Sequence, residues 1–374
     1  MNTEHKDIRK IIPFGEYLRG FVNQRYITEA ELNRVLKERG VFVLNPQREF
    51  IVPLLQTLLL SPSEFDKIRE AFSTREDNRK VNSSDINWEK NASIFVPDLM
   101  SVDVSSFIKT NLPTCTLEQP IRFTPVESNK NHLKASFTIK RNDRNKSWYE
   151  QTNIFDATIE IIKDKNGKGR IIVSHTAPET KELAEFIVKQ QVKKYKNENI
   201  VAQKEKPRKI LFEDFTNEER FVFFFRLTSH LDSDYFNCND IKDLSIKPED
   251  EDLPEKIKWM EELNKILLSG RSLDKKEFIK DNTFHRYLII WNIESVYSFE
   301  FKGHKGVFTV NFGFSDYIKK ERKSEFELNI SSFKPEKALD TRAKKRLKYQ
   351  LLSEMDRQKS AIYNSFLEYK LNEN

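Results

Sequence analysis

Three groups of residues in this 374-residue chain stand out by type and spacing as candidates for chemistry. The first is a cluster of cations around a helix end: Arg34, Lys37 and Arg39 precede Gly40, and Arg48 follows it. The second is the run Lys140, Arg141, Arg144, Lys146, Trp148, Tyr149. Its cations would contact phosphates, and either aromatic could stack on an exposed base or terminal pair. The competing reading is a solvated turn with the aromatics tucked beneath it. The third is Asp281 with Glu300 and Lys302, where two carboxylates and a lysine would serve a Mg²⁺-dependent nuclease. Alternation along a strand puts Glu300 and Lys302 on one face, opposite Phe301. A Glu-x-Lys arises easily in a chain with 33% charged residues, so this triad is the lesser alternative.

Local signals define the elements that would hold the first group. Thr28 and Glu31 form a capping box opening a helix with Leu32, Val35 and Leu36 on one face. Gly40 suits the left-handed residue after the last turn. From Val41 the chain reads as extended, because Pro46 and Pro53 disfavour a helical residue before them, and Pro53 fits the first turn of a second helix carrying Leu54, Leu55, Leu58 and Leu59. A lead-in helix over 11–24 has Leu18, Phe21 and Val22 on one face. Ser61, Pro62 and Glu64 start another, with Phe65, Ile68, Arg69 and Phe72.

Helix, extended connector, helix resembles the SAP/HeH family of small DNA-binding modules. The resemblance rests on Leu32, Leu36, the run Lys37-Glu38-Arg39-Gly40-Val41 and the apolar start of the second helix. It implies phosphate contacts from Arg34, Lys37, Arg39 and Arg48 near Gly40. The sequence departs from that pattern at Pro46-Gln47-Arg48, where a Gly-Lys is usual. The bland alternative is a helical hairpin that packs on its neighbours. A wider resemblance is carried by IIPFGEYLRGFVNQRYIT, LKERGVF, LLSPSEFDKIRE, REDN, NDRNKSWYE (142–150) and SHTAPETKEL (174–183). These look like the non-nuclease subunit of a GAPS-type two-gene bacterial anti-phage system. That resemblance implies a partner nuclease of the Mrr-like PD-(D/E)XK class and a hetero-oligomer.

Composition bounds the rest. Length allows two or three domains. The two cysteines, Cys115 and Cys238, form neither a disulfide framework nor a zinc cluster, and the six histidines show no paired helical spacing. With nine glycines and no Gly-rich phosphate loop, no cofactor is expected. No apolar run reaches the ~20 residues of a membrane span, and the N-terminus lacks a signal peptide's apolar stretch, so a cytoplasmic location is expected. The net charge of +6 is unevenly spread: residues 129–210 hold 19 Lys/Arg against 10 Asp/Glu, 211–262 hold 6 against 15, and 263–374 hold 22 against 15. Two basic blocks around an acidic one suit a polyanion partner, or mutual neutralisation within one fold.

The expected fold class is α+β: a helical domain at 1–75, a linker at 76–119, a basic antiparallel-sheet domain at 120–205, and a second α+β region at 206–374 ending in a long helix. The segment 74–91 reads as a polar loop. Strands are expected at 133–141, 147–163 and 170–174, with a hairpin at Lys165-Asn166-Gly167 and a helix capped by Thr176 and Glu179. The run FVFFFRL is a buried strand or core helix, and a helix is expected through Trp259, Leu263, Ile266 and Leu267. Strands follow at 285–302 and beyond a Gly303–Gly306 turn. Gly167 and Gly306 would be equivalent points of a weak internal duplication. The last helix, about Pro335–Leu371, keeps an apolar seam through Leu339, Ala343, Leu347, Leu351, Met355, Ile362, Phe366 and Tyr369. Its length favours a seam shared with another subunit; a break near Asp356 would make it local core.

Overall fold

A computed structural model describes residues 7–8, 10–24, 27–76, 79–143, 145–249, 253–261, 263, 266–270, 273 and 276–373. The fold is α+β, and the chain divides into two compact units. Unit 1 comprises Met1–Asn78, Phe95–Ile159 and His175–Tyr195; unit 2 comprises Arg79–Ile94, Glu160–Ser174 and Lys196–Asn374.

Unit 1 opens with four helices: α1 (Glu16–Val22), α2 (Glu29–Glu38), α3 (Arg48–Thr57) and α4 (Pro62–Glu76). Their apolar faces meet as expected, with Leu18, Phe21, Val22, Leu32, Val35 and Leu36 fully buried. Both capping boxes form. Thr28 Oγ1 accepts from the Glu31 N–H while the Glu31 carboxylate accepts from Thr28, and Ser61 and Glu64 repeat the arrangement. Pro53 lies inside α3 rather than at its start: the helix begins at Arg48, with Gln47 as its cap. The proline ring faces solvent there, so the connector shortens to 41–47. The same unit holds strand Asn129–Asn142, paired antiparallel with Cys115–Leu117 and Thr124–Val126, and most of helix Pro178–Asn197. Residues 147–150 are a turn rather than strand; Ser147 O accepts from Glu150 N–H, and the next strand starts at Thr152. The expected Thr176–Glu179 cap is replaced by Thr180, whose hydroxyl accepts from the Ala177 N–H.

Unit 2 is built on a large antiparallel sheet in which Phe236–Pro248, Leu288–Phe301, His304–Gly313 and Glu327–Pro335 pair in succession, with Lys80–Asn87 beyond. That last strand lies where a polar loop was expected. Its Asn82, Ser83 and Ser84 are buried, and distant partners satisfy two of them: Asn82 donates to Phe326 O and Ser83 to Asp356. FVFFFRL forms helix Asn217–Ser229, with Phe221, Phe223 and Phe224 fully buried. The helix expected through Trp259 is instead a 3-10 turn, Glu255–Met260, followed by strand Ile266–Ser269.

The hairpin after Phe301 turns on Lys302 and Gly303, both left-handed (φ 49° and 76°), and Phe301 pairs with His304. Two residues at positive φ match the twist of the flanking strands. Gly306 therefore lies in a strand, whereas Gly167 sits in a turn, and the two are not equivalent points.

The C-terminal helix, Thr341–Glu373, buries its seam in unit 2 itself: Leu347, Leu351, Met355, Ile362 and Phe366 join the core with Phe215, Phe223 and Leu328. No second subunit is needed to cover these positions. The helix does not break at Asp356. That carboxylate is fully buried and accepts from Lys359 Nζ (2.7 Å) and Ser83 Oγ (3.0 Å), with Arg170 3.6 Å away. Among the described residues no helix is long and apolar enough to cross a membrane.

Candidate nucleic-acid interface

The first cationic group surrounds the end of α2. Gly40 N–H donates to Lys37 O and Val41 N–H to Leu36 O, with Gly40 at φ 76°; this is the Schellman arrangement that a left-handed glycine permits. Gly40 thus offers a turn, and its amide is already used. Arg39, at the C-cap, points across to α4. Its Nε donates to Glu64 Oε1 and its Nη2 to Glu64 Oε2, both at 2.6 Å, and Nη2 also reaches Leu59 O at 2.6 Å. The Arg39 guanidinium, helped by the Ser61 hydroxyl and N–H, holds the Glu64 carboxyl down at about 2, and Glu64 in turn raises Arg39. Two parallel charge-assisted bonds of this kind fix the fork in place.

Arg48 is engaged differently. Its guanidinium donates to Val22 O (2.5 Å), Gln24 O (3.4 Å) and Ile27 O. It sits where the carbonyls at the end of α1 carry partial negative charge, a favourable place for a cation. Both arginines at the heart of the first group are therefore bonded to protein rather than presented to solvent.

The second group is also split. Arg141 pairs with Glu179 at 2.9 Å and stacks over Phe155, 5.0 Å from its centroid. Trp148 is half-buried against Tyr17 (6.0 Å) and Phe21 (6.2 Å), and Tyr149 is buried beside Phe21 with its hydroxyl accepting from Gln24 Nε2. The turn thus tucks its aromatics beneath it, which removes Trp148 as an open stacking platform. Arg144 lies outside the described residues.

What remains is a smaller set. Among the described residues, Arg34, Lys37, Lys140 and Lys146 have side chains with no ion pair or hydrogen bond. Arg34 and Lys37 are exposed three residues apart on α2, hence on one face. Lys146 is exposed and Lys140 half-buried. On helix Pro178–Asn197, Lys189 and Lys193 are exposed on one face, whereas Lys194 donates to Ser101 O. The role of Glu64 as partner to Arg39 went unread in the sequence, although its place in a capping box was plain.

The nuclease triad is not assembled. Asp281 caps the turn Asn282–Tyr287 by accepting from Thr283 N–H (3.0 Å) and hydroxyl (2.7 Å). Glu300 lies at the far end of strand Leu288–Phe301, whose near end follows that turn and which is roughly 40 Å long at ~3.3 Å per residue. It pairs with Lys305 across the hairpin (2.8 Å). Lys302 has left the strand for the turn, so it does not share a strand face with Glu300. Among the described residues, no three His, Cys, Asp or Glu are grouped to hold a metal ion.

Residues 16–78 match the GAPS4b protein N-terminal domain. The matched segment is the four-helix region, and it supports a component of a GAPS4-type anti-phage defence system. No curated protein matches the chain. Of solved structures, the DynU16 crystal structure, a protein of the dynemicin biosynthetic locus, aligns over 77% of this chain and 98% of its own, at 8% identity and a TM-score of 0.16. That similarity is too low to carry any argument.

Proposed function

We propose that the chain is a DNA-binding accessory subunit of an anti-phage defence complex, without catalysis of its own, working with a partner nuclease of the PD-(D/E)XK class. The helix–extended–helix segment, of SAP/HeH kind, supplies part of the contact surface. The match of residues 16–78 to a defence-system domain supports the setting. The observation that carries the DNA reading is the division of the cations. Arg34, Lys37, Lys140 and Lys146 have no protein partner among the described residues, whereas Arg39, Arg48 and Arg141 hold the fold together. Unpartnered cations on helix and turn surfaces contact phosphates rather than base edges. Binding is then sequence-independent and salt-sensitive.

The test is a fluorescence-anisotropy titration of a blunt duplex over a range of salt. Each phosphate contact removed lowers the slope of log K against log salt by about 0.9. The triple variant Arg34→Glu/Lys37→Glu/Lys146→Glu is expected to lower it by about three with the melting temperature unchanged. An unaltered slope rejects this placement.

A further inference from the structure

The C-terminal helix, Thr341–Glu373, begins against its own electrostatics. The first turns of a helix carry partial positive charge and are stabilised by acids, not bases. Here no acid occurs between Thr341 and Ser353, and Arg342, Lys344, Lys345 and Arg346 are all exposed. Among the described residues none of the four side chains has an ion pair or hydrogen bond. Arg342, Lys345 and Arg346 stand at i, i+3 and i+4, so they share one face and repel one another. Leu347 and Leu351, on another face, are buried in the core of unit 2. The helix is capped by Asp340, whose Oδ1 accepts from Ala343 N–H (2.8 Å) and whose O accepts from Lys344 N–H (2.9 Å). The unanswered charge is thus in the side chains.

Neighbours add to it. Lys334, near the end of strand Glu327–Pro335, and Lys337, in the connector to the helix, are exposed as well. Residues 334–348 hold seven Lys/Arg against two Asp/Glu. The acidic block at 211–262 meets the helix further along: Gln358 Nε2 donates to Asp232 O, and Lys370 pairs with Glu219 at 2.9 Å.

We propose that the start of this helix is a second DNA-contact surface, in unit 2, that engages the phosphate backbone of a duplex. The inference rests on the DNA-binding reading above and adds a site to it. The chemistry of the patch selects the occupant. No large apolar side chain is exposed between 334 and 348. A membrane-surface helix would need such side chains to insert, and the core of a protein interface is apolar and poor in lysine. No aromatic is exposed there either, so unstacked bases find no platform. Residues 341–348 cover roughly 12 Å at ~1.5 Å each. A duplex laid alongside presents about seven phosphates over that length, at one charge per ~1.7 Å of its axis. Those phosphates would relieve the repulsion that folding leaves standing.

The test is the salt titration of a blunt duplex, run on the full chain carrying Arg342→Ala/Lys345→Ala/Arg346→Ala. Three lost phosphate contacts lower the slope of log K against log salt by about three. Alanine removes the repulsion and favours helix, so the melting temperature is expected to hold or rise, which separates contact from folding. The control Lys242→Ala/Lys320→Ala/Arg357→Ala removes equal charge from cations held by Glu294, Asp316 and Glu354, and is expected to keep the wild-type slope. Wild-type binding with an unaltered slope in the first variant overturns this surface alone, and so does an equal fall in both variants, which is a net-charge effect. Loss of slope here with none in Arg34→Glu/Lys37→Glu/Lys146→Glu removes the unit 1 placement and keeps this one. A wild-type chain that binds no duplex even at low salt overturns both.

Discussion

The Arg39–Glu64 clamp gives the sharpest test of how the cations are divided. Glu64 accepts two bonds from Arg39 and two from Ser61, all at 2.6–2.7 Å. A carboxyl held at about 2 instead of 4.5 corresponds to a ceiling of about 3 kcal/mol of stability at neutral pH. The Arg39 and Glu64 side chains are 29% and 14% exposed, so solvent screens part of this. A realistic contribution is about 1–2 kcal/mol. The folded carboxyl is depressed, so its contribution is complete above the unfolded value and is lost as pH falls from about 5 through about 2. Arg39→Ala and Glu64→Gln are therefore each expected to lower the local stability of α2 and α4 by that amount at pH 7. The gap to wild type should narrow progressively toward pH 2. Pulse-labelled hydrogen exchange along a urea titration of the full chain reads those amides directly. Equal protection of Arg39→Ala and wild type at pH 7, or a gap that stays constant into acid, would refute the reasoning. The experiment also bears on DNA binding. If Arg39→Glu lowers affinity while α2 loses protection, the arginine acted through the fold and not through a phosphate.

Two further predictions separate packing from contact. Lys359 is buried with Asp356 and Ser83, so Lys359→Met leaves a buried carboxylate with the Ser83 hydroxyl and only one cation, Arg170 at 3.6 Å, and should cost about 3–5 kcal/mol, while Asp356→Leu/Lys359→Met recovers most of that loss. Urea unfolding followed by tryptophan fluorescence, with Trp291 in the same core, checks this; a wild-type midpoint for the single variant contradicts it. Trp148→Ala should destabilise the helical region by about 2 kcal/mol through lost contact with Tyr17 and Phe21, and should leave the salt slope of DNA binding unchanged. A fall in affinity with unaltered protection would return Trp148 to the role of stacking platform.

The parts of this fold that were legible in the sequence are those whose cause lies within a few residues. Thr28 with Glu31, Ser61 with Glu64 and Gly40 after α2 each satisfy orphan helix-end groups locally, and each stands where the pattern put it. Strand Lys80–Asn87 was invisible for the opposite reason. Asn-Ser-Ser reads as loop because its partners, Phe326 O and Asp356, lie more than 240 positions away. The C-terminal seam failed likewise, since nothing local says that unit 2's own aromatic core reaches along most of a 33-residue helix. The same distinction governs the candidate site. A cation at a helix end or beside a turn stands among carbonyls and capping carboxylates, and Arg39 and Arg48 are bonded to such groups. A cation on the outward face of a helix, such as Arg34 or Lys37, has only its i±3 and i±4 neighbours within reach, and among the described residues none of them holds it. The residues that resemble a DNA-binding corner most closely by motif are thus those the fold itself employs, and the cations that no protein group holds among the described residues are the plainer positions beside them.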